Sequence, residues 1–135
     1  KVEILKAVHN FTASSGNTFN IALYDSGASL GASTTAYTTS EEITNTSGSA
    51  YSAKGKALTS VTPVASSTTA VCDFADISWT SASFTARGCM IFNDSATGDP
   101  SVCCIDFGGD KTATNGTFTV QFPTADSSDA IIRIA

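Results

Sequence analysis

Apolar and polar positions alternate most clearly near the end of the chain. In TFTVQF, Thr117, Thr119 and Gln121 alternate with Phe118, Val120 and Phe122, the period of a strand with one buried face. FNIALYD reads as a buried strand around Ile21 and Leu23, closed by the turn-rich DSGASLGAS. KALTSVTPV supplies a weaker strand, and Pro63, which has no N–H to give a ladder, confines it to an edge or an end. AVCDFADISWT predicts a strand from Val71 to Phe74, a bend at Ala75-Asp76, then Ile77 and Trp79 beyond it. SFTARGCMIF follows, from Phe84 to Phe92, then the loop NDSATGDP, SVCCIDFG, the loop GDKTATNG, TFTVQFP and AIIRIA. In that scheme Gly108 and Gly109 end a strand, Asp110 and Lys111 are solvated turn residues, and Asn115-Gly116 reverses the chain into TFTVQF.

Helical periodicity is scarce. KVEILKAV puts Ile4, Leu5 and Val8 on one side of a two-turn N-terminal helix, and Ser40 is placed to cap a short helix through Glu41 and Glu42 to Ile43. Neither is long enough to build a core. Short strands separated by Gly, Asn, Asp and Pro clusters, with no amphipathic helices between them, predict an all-β fold. The expectation is a single β-sandwich or jelly-roll-like domain over residues 1–135 with a short N-terminal helix. Residues 26–60 are rich in Ser, Thr, Gly and Ala and poorly patterned, which predicts a loop excursion, laid across the sandwich or ordered by a neighbouring subunit. Tyr37, Thr38, Glu41, Glu42 and Tyr51 are the partner-contact candidates in that excursion.

Charged residues make up only 14% of the chain and the net charge is -5, so the surface is mostly hydroxyl and amide. Nucleic acid and anionic membranes both need clustered Lys and Arg, and neither is an expected partner. No apolar run approaches the ~20 residues that span a bilayer. KVEILKAVHNF is too short and too charged for a signal peptide and reads as part of an intracellular product. The four cysteines, Cys72, Cys89, Cys103 and Cys104, lie in apolar strand-like runs without a C-x-x-C spacing. They read as core thiols, with disulfides as the alternative, and adjacent Cys103 and Cys104 must point to opposite faces of any strand.

Several patterns resemble catalytic or ligand motifs. Gly27-Ala28-Ser29-Leu30-Gly31 has the G-x-S-x-G form, but a β-branched run follows where that turn needs a helix, and the sole histidine, His9, precedes the serine. His9 reads as a packing or capping residue. Asp94 with Asp99, or Asp106 with Asp110, could supply oxygens to a calcium ion, yet NDSATGDP lacks the order of the helical calcium loop, and aspartates in turns bond the backbone. The N-x-S/T matches at Asn10, Asn45, Asn93 and Asn115 are expected by chance where Ser and Thr are this common. Trp79, Phe84 and Phe92 could form a sugar platform but read as core aromatics. No catalytic residue, metal or cofactor is expected.

The stretches FNIALYDSGASLGASTTAYTT, SAKGKALTS, VCDFADISWTSASFTARGCMIFN and CIDFGGDKTATNGTFTVQFPTADSSDAIIRIA together cover most of the chain. Carried most strongly by ADISW…SFTARG and DFGGDKTATNGTFTVQFP, the sequence resembles small structural proteins encoded among the virion genes of tailed bacteriophages. That resemblance implies a non-enzymatic head decoration (cement) protein, made in the host bacterial cytoplasm and located on the capsid surface. Its implied partners are the major capsid protein and copies of itself, as a small homo-oligomer. A tail- or fibre-associated protein, with a receptor- or glycan-binding role, is the alternative. Cytoplasmic assembly also fits reduced cysteines. An apolar docking patch is the mark of the cement role; exposed aromatics gathered at one end are the mark of a glycan module.

Overall fold

The computed structural model describes residues 2–44 and 50–135. Two antiparallel sheets carry the fold. Strands β1 (Phe19–Tyr24), β2 (Lys56–Ala57), β5 (Ile77–Asn93) and β6 (Ser101–Val120) form one sheet in the order β2-β1-β5-β6. Strands β3 (Ser60–Ser66), β4 (Thr69–Phe74) and β7 (Ile132–Ile134) form the other, in the order β3-β4-β7. Helix α1 (Val2–Leu5) is a single turn, shorter than its periodicity predicts, and none of its residues is buried. The expected helix at Ser40–Ile43 is absent. Glu41 adopts a left-handed φ of 60°, which no helix accepts, and Glu42 instead forms an isolated antiparallel bridge with Tyr24.

The alternation of β1 sends Phe19, Ile21 and Leu23 into the main core and Ala22 and Tyr24 to a smaller cluster on the opposite face with Met90 and Phe92. The main core joins both sheets through aromatic contacts. Phe19 stacks on Phe11 at 4.6 Å and meets Phe74 of β4 at 5.5 Å, while Phe84 and Phe118 lie 5.0 Å apart across the β5–β6 ladder. Trp79, Phe84 and Phe92 are all buried, so the core reading of these rings holds. Pro63 lies on β3, an edge strand, beside a register shift between Val61 and Val64, as its missing N–H demands. The bend at Ala75-Asp76 separates β4 from β5.

The largest departure from the sequence expectation is the β5–β6 hairpin. Its turn is NDSATGDP, as expected, but GDKTATNG is not a loop. β6 runs unbroken from Ser101 to Val120, pairing with β5 to Ile77, and its irregular residues are taken up as bulges. From Ala86 to Gly88 β5 advances two residues while β6 moves five, from Lys111 to Asp106, so Phe107–Asp110 bulge out with Gly108 at φ 74°. Asn115, at φ 50°, forms a second bulge, and its N–H donates to Ser83 Oγ at 3.0 Å. It bends the strand and does not reverse it. Ser81, at φ 55°, supplies an opposing extra residue on β5, which restores the register.

The N-terminal segment is fastened to the end of β5 by Asn93, which is fully buried. Its Nδ2 donates toward the Val8 carbonyl (3.1 Å), Asn17 Oδ1 (3.1 Å) and His9 Nδ1 (3.2 Å), and its Oδ1 accepts from the Ser95 N–H. A side chain so occupied offers nothing for modification, whatever its N-x-S context. Among the described residues no helix is long and apolar enough to cross a membrane.

Candidate functional site

Two of the partner-contact candidates of the excursion, Tyr37 and Tyr51, converge on the buried carboxylate of a third, Glu42. Glu42 Oε2 accepts from the Tyr37 hydroxyl at 2.5 Å and Glu42 Oε1 accepts from the Tyr51 hydroxyl at 2.6 Å. The Tyr51 oxygen in turn accepts from the Leu23 N–H at 2.9 Å, and the Tyr24 hydroxyl donates to the Thr38 carbonyl at 2.7 Å. Burial, and then the hydrogen bond to Glu42, pushes the Tyr37 hydroxyl up to about 12. Burial raises Tyr51 and Tyr24 as well, so all three rings keep their protons and act as donors.

This geometry reassigns several of the contact candidates. Tyr51 is 0% exposed and Glu42 9%, so both are internal props. Tyr37 is half-buried and stacks on Phe92 at 4.7 Å, and Thr38 serves through its backbone carbonyl; Glu41 alone of the five is exposed. Through Tyr37, Glu42 and Tyr51 the described part of the excursion is bonded to β1 and stacked on β5. Residues 45–49, with the Asn45 sequence match, lie outside the described residues.

A second clasp settles the fate of the acids in the β5–β6 turn. Lys54 Nζ lies 2.9 Å from Asp94 Oδ1 and 2.8 Å from Asp99 Oδ2, above the rings of Tyr37 (5.7 Å) and Phe92 (6.0 Å). The two carboxylates face an ammonium where the calcium reading placed a metal. Hydrogen bonds to Asp99 and Asp94 hold Lys54 above its ordinary pKa. Asp106, likewise, pairs with Arg87 at 2.9 Å and accepts from the Gly108 N–H, and these bonds hold its carboxyl below the usual range. Among the described residues no group of three or more His, Cys, Asp or Glu side chains is arranged to hold a metal.

The remaining motifs dissolve into local structure. Asp25 Oδ1 accepts from the Gly27 N–H at 2.8 Å, making the G-x-S-x-G stretch a turn with no helix after it, and Ser29 is exposed there. His9 packs on Phe11 and Phe19, and burial lowers its pKa from 6.5. The cysteines are free thiols. Cys103 packs against the main core and Cys104 against the opposite cluster, as adjacent strand residues must. Burial pushes Cys72 and Cys103 up to about 12, leaving them protonated and unreactive.

What sequence reasoning missed is an exposed aliphatic surface. The large hydrophobic side chains left in solvent are Val2 (60% exposed), Ile4, Leu5 (89%), Val61, Val64 (60%) and Ile134 (56%). Among the described residues all lie on α1 and on β3 and β7 of the three-stranded sheet, none lies on the four-stranded sheet and none is aromatic. Ile4, Pro63, Ala70 and Ile134 share one cleft between the helix and that sheet. The sequence signal was an amphipathic N-terminal turn and apolar edge-strand positions, but nothing in the sequence shows that these positions remain uncovered. Comparison with protein-family models, with curated proteins and with solved structures finds no match to this chain.

Proposed function

We propose that the chain is a structural protein of a bacteriophage virion, a decoration or cement protein whose β-sandwich binds the lattice of major capsid protein and stabilises the head. The observation that carries this reading is the concentration of exposed aliphatic side chains on α1, β3 and β7. Aliphatic surface left in water is surface that gains by meeting a partner, and its aliphatic character suits protein better than sugar or phosphate. The resemblance of ADISW…SFTARG and DFGGDKTATNGTFTVQFP to phage virion proteins supports the major capsid protein as that partner. Modest contacts suffice, because each copy bound to the assembled shell shifts the equilibrium away from disassembly, and many copies act together.

A glycan-binding tail or fibre module needs exposed aromatic rings, and the exposed hydrophobic set among the described residues contains none. The decoration reading is preferred on that ground. Particles lacking the chain should release their DNA at lower temperature or under milder osmotic shock than complete particles. Equal survival of the two rejects a stabilising role. Leu5→Glu with Ile134→Glu should lower occupancy on particles while leaving the purified chain folded, since both side chains are largely in solvent.

A further inference from the structure

Val8 and His9, which join α1 to the body, both bond to one side chain at the end of β5. Asn93 Nδ2 lies 3.1 Å from the Val8 carbonyl, 3.1 Å from Asn17 Oδ1 and 3.2 Å from His9 Nδ1. This amide cannot be turned over. Its oxygen accepts from the Ser95 N–H at 3.0 Å and the Val8 carbonyl can only accept, so the NH2 group must face His9. A donor facing Nδ1 requires a bare lone pair there, which fixes the neutral ring with its proton on Nε2.

A second proton has no place at this contact. On Nδ1 it would point at the Asn93 NH2 group, donor against donor. Asn17 Oδ1 already accepts from Asn93 and from the Asn10 N–H at 2.7 Å, which occupies both of its lone pairs. The ring is confined as well, packed on Phe11 and Phe19 and sharing a cleft with Ile4, Cys72 and Ile134. Of the titratable groups around it, Glu3 of α1 favours the imidazolium and the amino-terminal charge opposes it. Cys72 of β4, its thiol pushed up to about 12 by burial, stays neutral. Desolvation outweighs Glu3, so the docked ring holds a proton less well than a free imidazole.

We infer that the Asn93 hub is an acid-sensitive latch: protonation of His9 sets donor against donor and frees residues 2–9 from the end of β5, while both sheets stay folded. Residues 10–17 keep a hold of their own, because Phe11 stacks on Phe19 and the Ala13 N–H donates to Thr62 Oγ1 at 3.1 Å. α1 carries Val2, Ile4 and Leu5 of the exposed aliphatic set, so opening the latch unseats part of the proposed docking patch. That consequence rests on the virion reading; the latch itself does not, and it is tested on the purified chain alone. The docked pKa lies below 6.5, so the latch is closed above that pH and opens as pH falls from 6.5 through the lowered value.

His9 is the sole histidine, so its ring can be followed by NMR without ambiguity. Titrated downward from pH 7.5, its midpoint should lie below 6.5. In step with it, backbone order parameters of residues 3–8 should fall from about 0.85 to below about 0.6. The fluorescence of buried Trp79 should not change over the same range. His9→Phe keeps a ring against Phe11 and Phe19 but takes no proton, and should hold residues 3–8 ordered where the parent has lost them. A midpoint at or above 6.5, order that ignores the His9 titration, or the same loss in His9→Phe overturns the inference. So does a Trp79 change in step with His9, which would mark unfolding of the whole chain.

Discussion

Tyr51 holds two parts of the chain through one hydroxyl, accepting from the Leu23 N–H of β1 and donating to Glu42 of the excursion. Tyr51→Phe leaves a buried N–H and a carboxylate oxygen short of partners and should cost about 1–3 kcal/mol in urea unfolding. Glu42→Gln keeps the shape but replaces charge-assisted bonds with neutral ones, so its cost should be smaller and should nearly vanish when Tyr37 and Tyr51 are already Phe. Asn93→Ala strips donors from the Val8 carbonyl and Asn17 Oδ1 and should cost about 2–3 kcal/mol, loosening the N-terminal segment. His9 adds a pH dependence. Its folded pKa is lowered from 6.5, chiefly by burial, with Glu3 opposing, so the unfolded chain takes up the proton first as pH falls. Its contribution is therefore complete above pH 6.5 and is lost between 6.5 and the lowered folded value. Thermal melts of His9→Phe and the parent, compared from pH 7.5 downward, should converge as the pH drops through that window.

At the scale of elements the bulges explain both what could be read from the sequence and what could not. Strand identity was legible because alternation fixes which residues face the core: Phe19, Ile21, Leu23, Phe118 and Val120 lie where their period puts them. Strand continuity was not. Gly108-Gly109 and Asn115-Gly116 supply the same left-handed backbone whether they turn a chain or bulge it, and only the partner strand decides. Gly108→Val should therefore cost about 1–3 kcal/mol through backbone strain alone, since no neighbour lies within contact distance of the side chain it would add. Gly55→Ala should be worse: at φ 65° its Cβ would also run into the Ile21 carbonyl, where the excursion docks on β1. The site divides in the same way. Tyr37, Glu42 and Tyr51 stood out in a segment otherwise poor in large side chains, but their burial depends on partners such as Leu23, distant in sequence. The exposed residues of α1, β3 and β7 were visible only as apolar positions, because exposure is a property of what fails to cover them.

For the whole molecule, internal fastening and external surface fall on different parts. The excursion, the Lys54 clasp and the Asn93 hub tie loops back onto the four-stranded sheet, while the exposed aliphatic side chains gather on α1, β3 and β7. A decoration protein needs this division: a body that holds its own shape, and a patch that gains by leaving water when it meets the shell. The central proposal is that this chain decorates the head of a phage particle. Its copy number relative to the major capsid protein, quantified by mass spectrometry of purified particles, tests that place most directly. The account predicts hundreds of copies per particle, in fixed proportion to the shell protein; a handful per particle would contradict it.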